Sequence, residues 1–217
     1  MTFLSDVEKE ALARTISLAE SRTQAEIVTV IARQSDGYRY IPMLWAALIA
    51  LSIPGLYYLW SSINRAGWHL SGTDVAASAW LYPAQVLTFL GLGMLFQIPQ
   101  ARLWMIPRSV KQRRAARHAR EQFFLQNLHL TSGRTGVLIF VSLAEHYVEI
   151  IVDQAVADAV DDQLWETTVQ EFIAHVRRGD IAAGFENTIE QCRLVLWEHF
   201  PAAEGNPDEL PNHLIEV

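Results

Sequence analysis

The chain has 217 residues, a formal net charge of −7 and 51% apolar residues, enough for one domain with additional segments. The modest acidic balance excludes a chain-wide electrostatic footprint for nucleic acid. A single cysteine excludes a disulfide framework or a multi-cysteine zinc site.

No cleavable signal peptide is expected, because residues 5–26 mix Asp, Glu, Lys and Arg where an apolar core is required. They predict a helix instead. Ser5-Asp-Val-Glu8 is a capping box, and Leu12, Ile16 and Ala19 repeat at helical spacing, with Val7, Ala11 and Leu18 beside them. Ala25 to Ala32 follows as a strand, with Ile27, Val28, Val30 and Ile31 as its β-branched core.

Residues 41–60 carry no charged side chain. At about 1.5 Å per residue a helix of that length spans about 30 Å, the thickness of a bilayer core. Residues 75–101 are also free of charge, and residues 80–99 form the natural second span. Trp45, Tyr57, Tyr58, Trp60, Trp80 and Tyr82 lie toward the span ends, as interfacial aromatics do. Pro54-Gly55 predicts a kink in the first span. Gly91 and Gly93 do not make a GxxxG pair.

A basic run follows the second span: Arg102, Arg108, Lys111, Arg113, Arg114, Arg117 and Arg120. By the positive-inside rule this side is cytoplasmic, and two spans return the chain to the side it left. Both termini are therefore expected in the cytoplasm. Arg108, Lys111, Arg113, Arg114 and Arg117 are expected to face lipid headgroups rather than nucleic acid.

The basic segment predicts a helix to about Asn127, broken by the Thr131–Gly136 stretch "TSGRTG". Val137 to Val141 is an unbroken apolar run, typical of a central strand. Tyr147, Glu149, Ile151 and Asp153 alternate with Val148, Ile150 and Val152, a strand with one buried face, and "LAEH" joins the two as a hairpin. Trp165, Val169, Phe172, Ile173 and Val176 form a helical stripe that ends at Arg177-Arg178-Gly179. Asp180 then caps a helix striped by Ile181, Phe185, Ile189, Cys192 and Leu196 and stopped by Phe200-Pro201. The polar tail, with an apolar end at Leu214 and Ile215, is expected to pack loosely or fray.

One helix and one strand cannot build a core, so the first segment needs partners beyond the spans. The expected organisation is a domain split by its insertion. Residues 1–39 supply the first helix and strand, residues 40–101 a transmembrane hairpin, and residues 102–217 a basic juxtamembrane helix and the rest of the domain. The expected fold is a three-layer α/β/α sandwich with a small mixed sheet, interrupted by the two-helix transmembrane hairpin.

"RTGVLIFVSLAEHYVEIIVD", Trp165, "FENTIEQCRLVLWEHFP" and "DELPNHLI", with the opening helix and "AEIVTVIA", resemble the TPM domain in its branch of short bacterial membrane proteins. The resemblance is carried by Gly136 to Ile139, the strand from Val148 to Asp153, His199-Phe200-Pro201 and Glu209-Leu210-Pro211. It implies a compact α/β/α sandwich. Relatives so described include phosphatases, proteins that bind calcium or other divalent metals, and thylakoid proteins that support photosystem repair. Those relatives are exported, whereas the basic run here predicts a cytoplasmic domain in a bacterial inner membrane.

Catalytic patterns are scarce. The sequence holds no phosphate-cradling glycine loop, no HExxH helix and no nucleophile elbow around Ser142. Cys192 lies on an apolar stripe, as a core thiol does, and His199 ends an apolar helix face as a structural histidine. The spans carry no internal charge, which argues against a transport path. One acidic constellation stands out: Asp153, Asp158, Asp161, Asp162 and Glu166, where a strand end meets a helix start. Carboxylates gathered this way suit Ca2+ or Mg2+, and the alternative is helix caps and a solvated loop. The chain is thus expected to be a membrane-anchored TPM-like module for protein interaction or membrane-protein maintenance, with a lipid bilayer and a protein as partners and a divalent cation as an added element. The alternative is a metal-dependent phosphatase acting at the membrane surface with those aspartates at its centre.

Overall fold

The computed structural model describes residues 3–38, 40–64, 79–96, 98, 106–202 and 209–217. The chain divides into two compact units, one from Met1–Asp36 with Ser109–Val217 and one from Gly37–Arg108.

The first unit is a mixed α/β fold. Helix α1 (Asp6–Glu20) starts at the predicted capping box: Ser5 Oγ accepts from Glu8 N at 3.3 Å and Glu8 Oε2 accepts from Ser5 N at 2.7 Å. Strand β1 (Ile27–Ala32) is buried along its whole length. Its partner β2 (Val137–Ser142) is equally buried and runs parallel, with Ile27 opposite Val137 and Ala32 opposite Ser142. Two adjacent parallel strands read as continuous apolar runs because helices cover both sheet faces. β3 (Tyr147–Val152) folds back antiparallel on β2 through the Leu143–His146 turn, and the sheet order is β3-β2-β1-β4.

The two faces of the sheet bury different partners. Ile27, Ile31, Val137, Ile139 and Val141 pack with Leu12 and Ile16 of α1 and with the two long C-terminal helices. Those helices are α6 (Asp162–Arg178), through Trp165 and Phe172, and α7 (Ile181–His199), through Phe185, Ile189 and Cys192. Gly179, at φ +80°, ends α6 in the left-handed conformation that glycine adopts without strain. Asp180 occupies the cap position of α7, but its side chain makes no capping hydrogen bond.

Val28, Val30, Ala32, Leu138 and Phe140 point to the opposite face, where they meet Ala119 and Phe123 of α4 (Arg108–Leu125). The basic helix is therefore a layer of the domain, with its alanine face inward and its cations outward. Arg108, Arg113 and Arg117 are exposed. Arg114 pairs with Asp36 at 3.1 Å and Arg117 with Glu121 at 2.8 Å.

The tail corrects an expectation. It is a strand, β4 (Ile215–Glu216), parallel to β1, and Leu214 is buried against the larger core. Buried Glu26 holds its approach by accepting from the backbone N–H groups of Glu209 and Leu210 at 3.3 and 3.2 Å. A short edge strand is fixed by such tertiary contacts rather than by its own pattern.

In the second unit, α2 (Tyr40–Asn64) has 25 residues, about 37 Å of helix. It is long and apolar enough to cross a membrane, and only 22% of its most apolar window is buried. Pro54 lies inside it and the helix continues to Asn64. The second apolar helix, α3 (Leu81–Leu95), has 15 residues, about 22 Å, which is less than the predicted second span. Gln97 and Pro99, also in that predicted span, lie outside the described residues. Tyr57 of α2 meets Trp80, which precedes α3, edge to face with centroids 5.5 Å apart. A Cβ added at Gly91 or Gly93 would meet nothing within 4 Å, so these glycines mark no close helix approach.

Candidate functional site

The predicted acidic site lies at the end of β3, but its members do different local jobs. Asp153 is buried, caps the short helix α5 (Gln154–Ala159) by accepting from Gln154 N at 2.7 Å, and pairs with Arg134 at 2.9 Å. Asp158 is exposed and accepts from the Gln154 side chain at 2.9 Å. Asp161 caps α6 by accepting from Gln163 N at 3.0 Å. Asp162 and Glu166 are exposed on the first turns of α6. Helix α5 carries Asp158 and comes between Asp153 and the carboxylates at the start of α6, and no apolar periodicity announces it.

Among the described residues, no three His, Cys, Asp or Glu side chains gather into a group able to hold a metal ion. The donor set therefore does not fit a hard cation, which takes several carboxylate and carbonyl oxygens at once. The strand direction matters as well. Because β3 is antiparallel to β2, its C-terminal end lies beside Gly136, at the amino end of the parallel strands. Open α/β sheets bind ligands at the opposite, carboxyl end.

That carboxyl end carries a group with no sequence signal. Ser35 Oγ donates to Ser142 Oγ at 2.8 Å, Ser142 Oγ donates to Glu145, and Glu145 accepts from Ser35 N at 3.1 Å. Every member is satisfied by another, so the group staples the β1 exit to the β2–β3 turn. Cys192 is fully buried, and burial pushes its thiol up to about 12, so it is no nucleophile at neutral pH. His199 Nδ1 lies 3.0 Å from the Val195 carbonyl oxygen.

What the region does form is an open groove of about 720 Å3 along the outer edge of β3. Val148, Ile150 and Val152 line it from the strand, and Asp162, Trp165, Glu166 and Val169 from α6. Two predicted site residues, Asp162 and Glu166, thus share one wall of it. Glu149 also lies on this strand and accepts from the Tyr147 hydroxyl at 3.0 Å. Burial raises the Glu149 carboxyl above its ordinary value, against the lowering effects of the Tyr147 hydrogen bond and the Arg120 charge. Burial likewise raises the Tyr147 phenol.

The sign for Glu149 follows from linkage. A raised carboxyl favours the fold below its ordinary value of 4.5, and that contribution is lost as pH rises through the higher folded value. Glu149→Gln is therefore expected to melt higher than the parent at pH 7 and at the parent's temperature at pH 4. Thermal unfolding at the two pH values checks this, and an equal difference at both would contradict it.

Residues 100–194 match the family model of the TPM domain. The matched stretch holds β2, β3, α5, α6 and most of α7, and so the whole groove. Among solved structures, the NMR structure of BA42 protein from the psychrophilic bacterium Bizionia argentinensis superimposes with a TM-score of 0.57 at 18% identity. The superposition covers 100% of this chain and 97% of that one, and it shows a shared fold. No curated protein sequence matches the chain. The TPM-matched region is thus an α/β scaffold with an open groove between a strand edge and the acidic first turns of α6.

Proposed function

We propose that the chain is a membrane-anchored TPM-like module that binds a partner protein at the cytoplasmic face of a bacterial inner membrane. The carrying observation is the surface of α2. Leu51 is 66% exposed and Ile63 74% exposed, on a helix long enough to span. A helix that is apolar and outward-facing along its length has lipid as its natural solvent. The apolar run 80–99, whose described helix is α3, is the second span in this reading and brings the chain back to the side it left. The basic run of Arg102 and the α4 cations supports a cytoplasmic location for that side. Lipid headgroups are the partners of those cations.

Interaction is favoured over catalysis by what the groove offers. It has an open strand edge and an apolar floor at Trp165 and Val169, and among the described residues its carboxylates form no group able to hold a metal ion. The test places a photoreactive residue at Gln170, in the groove, and separately at Glu10, on an exposed turn of α1, in the full chain in bacterial membranes. One defined crosslinked protein from Gln170 and none from Glu10 is expected. No adduct from Gln170, together with Mg2+-dependent hydrolysis of a phosphate monoester by the purified chain, would replace this reading with the phosphatase.

A further inference from the structure

The two edges of the sheet are built differently. β4 ends one edge with only Ile215–Glu216, the kind of short strand that blunts an edge. β3 ends the other with a full run, Tyr147–Val152, in unbroken register with β2. It has no proline, lysine or bulge to discourage pairing.

The register fixes which backbone groups of β3 are unpaired. Asp153 N donates to Gly136 O at 2.8 Å, and residues opposite each other alternate between bonded and non-bonded pairs along an antiparallel ladder. Tyr147, Glu149 and Ile151 therefore face β2 with their N–H and C=O groups. Those of Val148, Ile150 and Val152 point outward, and among the described residues they have no backbone partner outside the ladder. These are the β3 residues that line the groove together with Glu149.

The opposite wall is chemically selective. Its charged residues in the lining are Asp162 and Glu166, Glu149 lies on the strand side, and no lysine or arginine is among the described lining residues. Trp165 lies in the lining at 8% exposure, and its indole Nε1 is buried without a hydrogen-bond partner, a donor that a carbonyl from a neighbouring strand can satisfy.

We propose that β3 takes up an extended segment of a partner protein as a fifth strand of the sheet, with apolar and basic side chains taking turns at every second residue, the positions that face α6. The segment's backbone completes the ladder at Val148, Ile150 and Val152. Its apolar side chains rest on Trp165 and Val169, and its cations meet Asp162 and Glu166. Main-chain pairing supplies affinity in this mode and alternate side chains supply selectivity. A second copy of this chain is the poorer occupant, because pairing β3 with β3 sets carboxylates of like sign against each other. The inference rests on the interaction reading above and names its surface.

The test uses the full chain in detergent micelles and a fluorescein-labelled decapeptide with valine and lysine in turn at its odd positions and threonine at its even ones, followed by fluorescence anisotropy. Saturable binding with a Kd on the order of 10 μM is expected. The same peptide N-methylated on the residues that would face β3 keeps its charge and loses its donors, and at least a tenfold weakening is expected. Asp162→Asn with Glu166→Gln is expected to weaken the unmodified peptide about tenfold as well. If the methylated peptide binds as tightly, attraction is by charge alone and strand addition is overturned. Absence of saturable binding by the parent overturns it too. If Gln170 still crosslinks a defined protein in membranes, the interaction reading survives either loss; if it does not, both fail.

Discussion

Replacing Phe172 by alanine is expected to destabilise the α/β unit by about 3–5 kcal/mol and to lower its melting temperature by roughly 10 °C. The residue is fully buried, and its ring meets Phe185 edge to face with centroids 4.8 Å apart. The rest of its surroundings cannot easily close the gap. A Cβ added at Gly184 would lie 2.5 Å from Phe172 Cε2, so the ring rests directly on the backbone of α7. That contact makes the two positions interdependent. Gly184→Ala alone overpacks the interface and should cost about 1–3 kcal/mol. In a chain already carrying Phe172→Ala, the same methyl enters the vacated space, so it should be neutral or stabilising. Thermal unfolding of the four proteins reads the coupling directly. Additive losses would mean that the helices do not approach as described. Val7→Ala, at a position 77% exposed, is the control and should leave the transition unchanged.

Which parts of this structure could be read from the sequence depends on whether the signal is local. The α1 capping box, the buried stripes of α6 and α7 and the LAEH hairpin are set by residues near each other in the chain, and all appear as expected. The basic helix is legible in extent, but its place as a layer of the domain is masked by its charge. Ala115, Ala119 and Phe123, its buried face, recur every four residues beneath the arginines. β4 could not be read from its own residues, because its position depends on pairing with β1 and on Glu26 reaching Glu209 and Leu210.

The acidic run shows the converse. Its carboxylates are close in sequence, yet α5 and two helix caps direct them apart, and the antiparallel course of β3 places them at the amino end of the parallel strands. The Ser35–Ser142–Glu145 staple joins residues up to 110 positions apart and exists only through the β1–β2 register. The edge of β3 was legible as a strand. That it is an outer strand, with the backbone N–H and C=O groups of Val148, Ile150 and Val152 directed away from β2, requires the sheet order.

Arginine at both Leu48 and Leu51 is expected to remove the chain from the membrane fraction. These residues lie near the middle of α2 and are 50% and 66% exposed. On an insertion scale each arginine at the centre of a span costs about 2.5–3.5 kcal/mol, or about 5–7 kcal/mol for the pair. The same substitutions discriminate between solvents for α2. In water, an arginine at an exposed position changes stability by less than about 0.5 kcal/mol, so a water-facing α2 would tolerate both. Alkaline carbonate extraction of cells gives the readout: the parent stays in the pellet and the variant leaves it or is degraded. Leu194→Arg with Trp197→Arg, at exposed positions on α7, tests whether surface arginines alone have this effect and should leave the chain in the pellet. Alkaline phosphatase fused within residues 65–78 or at the C-terminus then counts the crossings. Activity at the first site and none at the second means that α3 and the residues after it complete a second span. Activity at both means that α2 crosses alone, leaving the α/β unit split across the bilayer. That outcome is incompatible with β1 pairing to β2, since those strands lie on opposite sides of α2 in sequence and in one sheet in the fold.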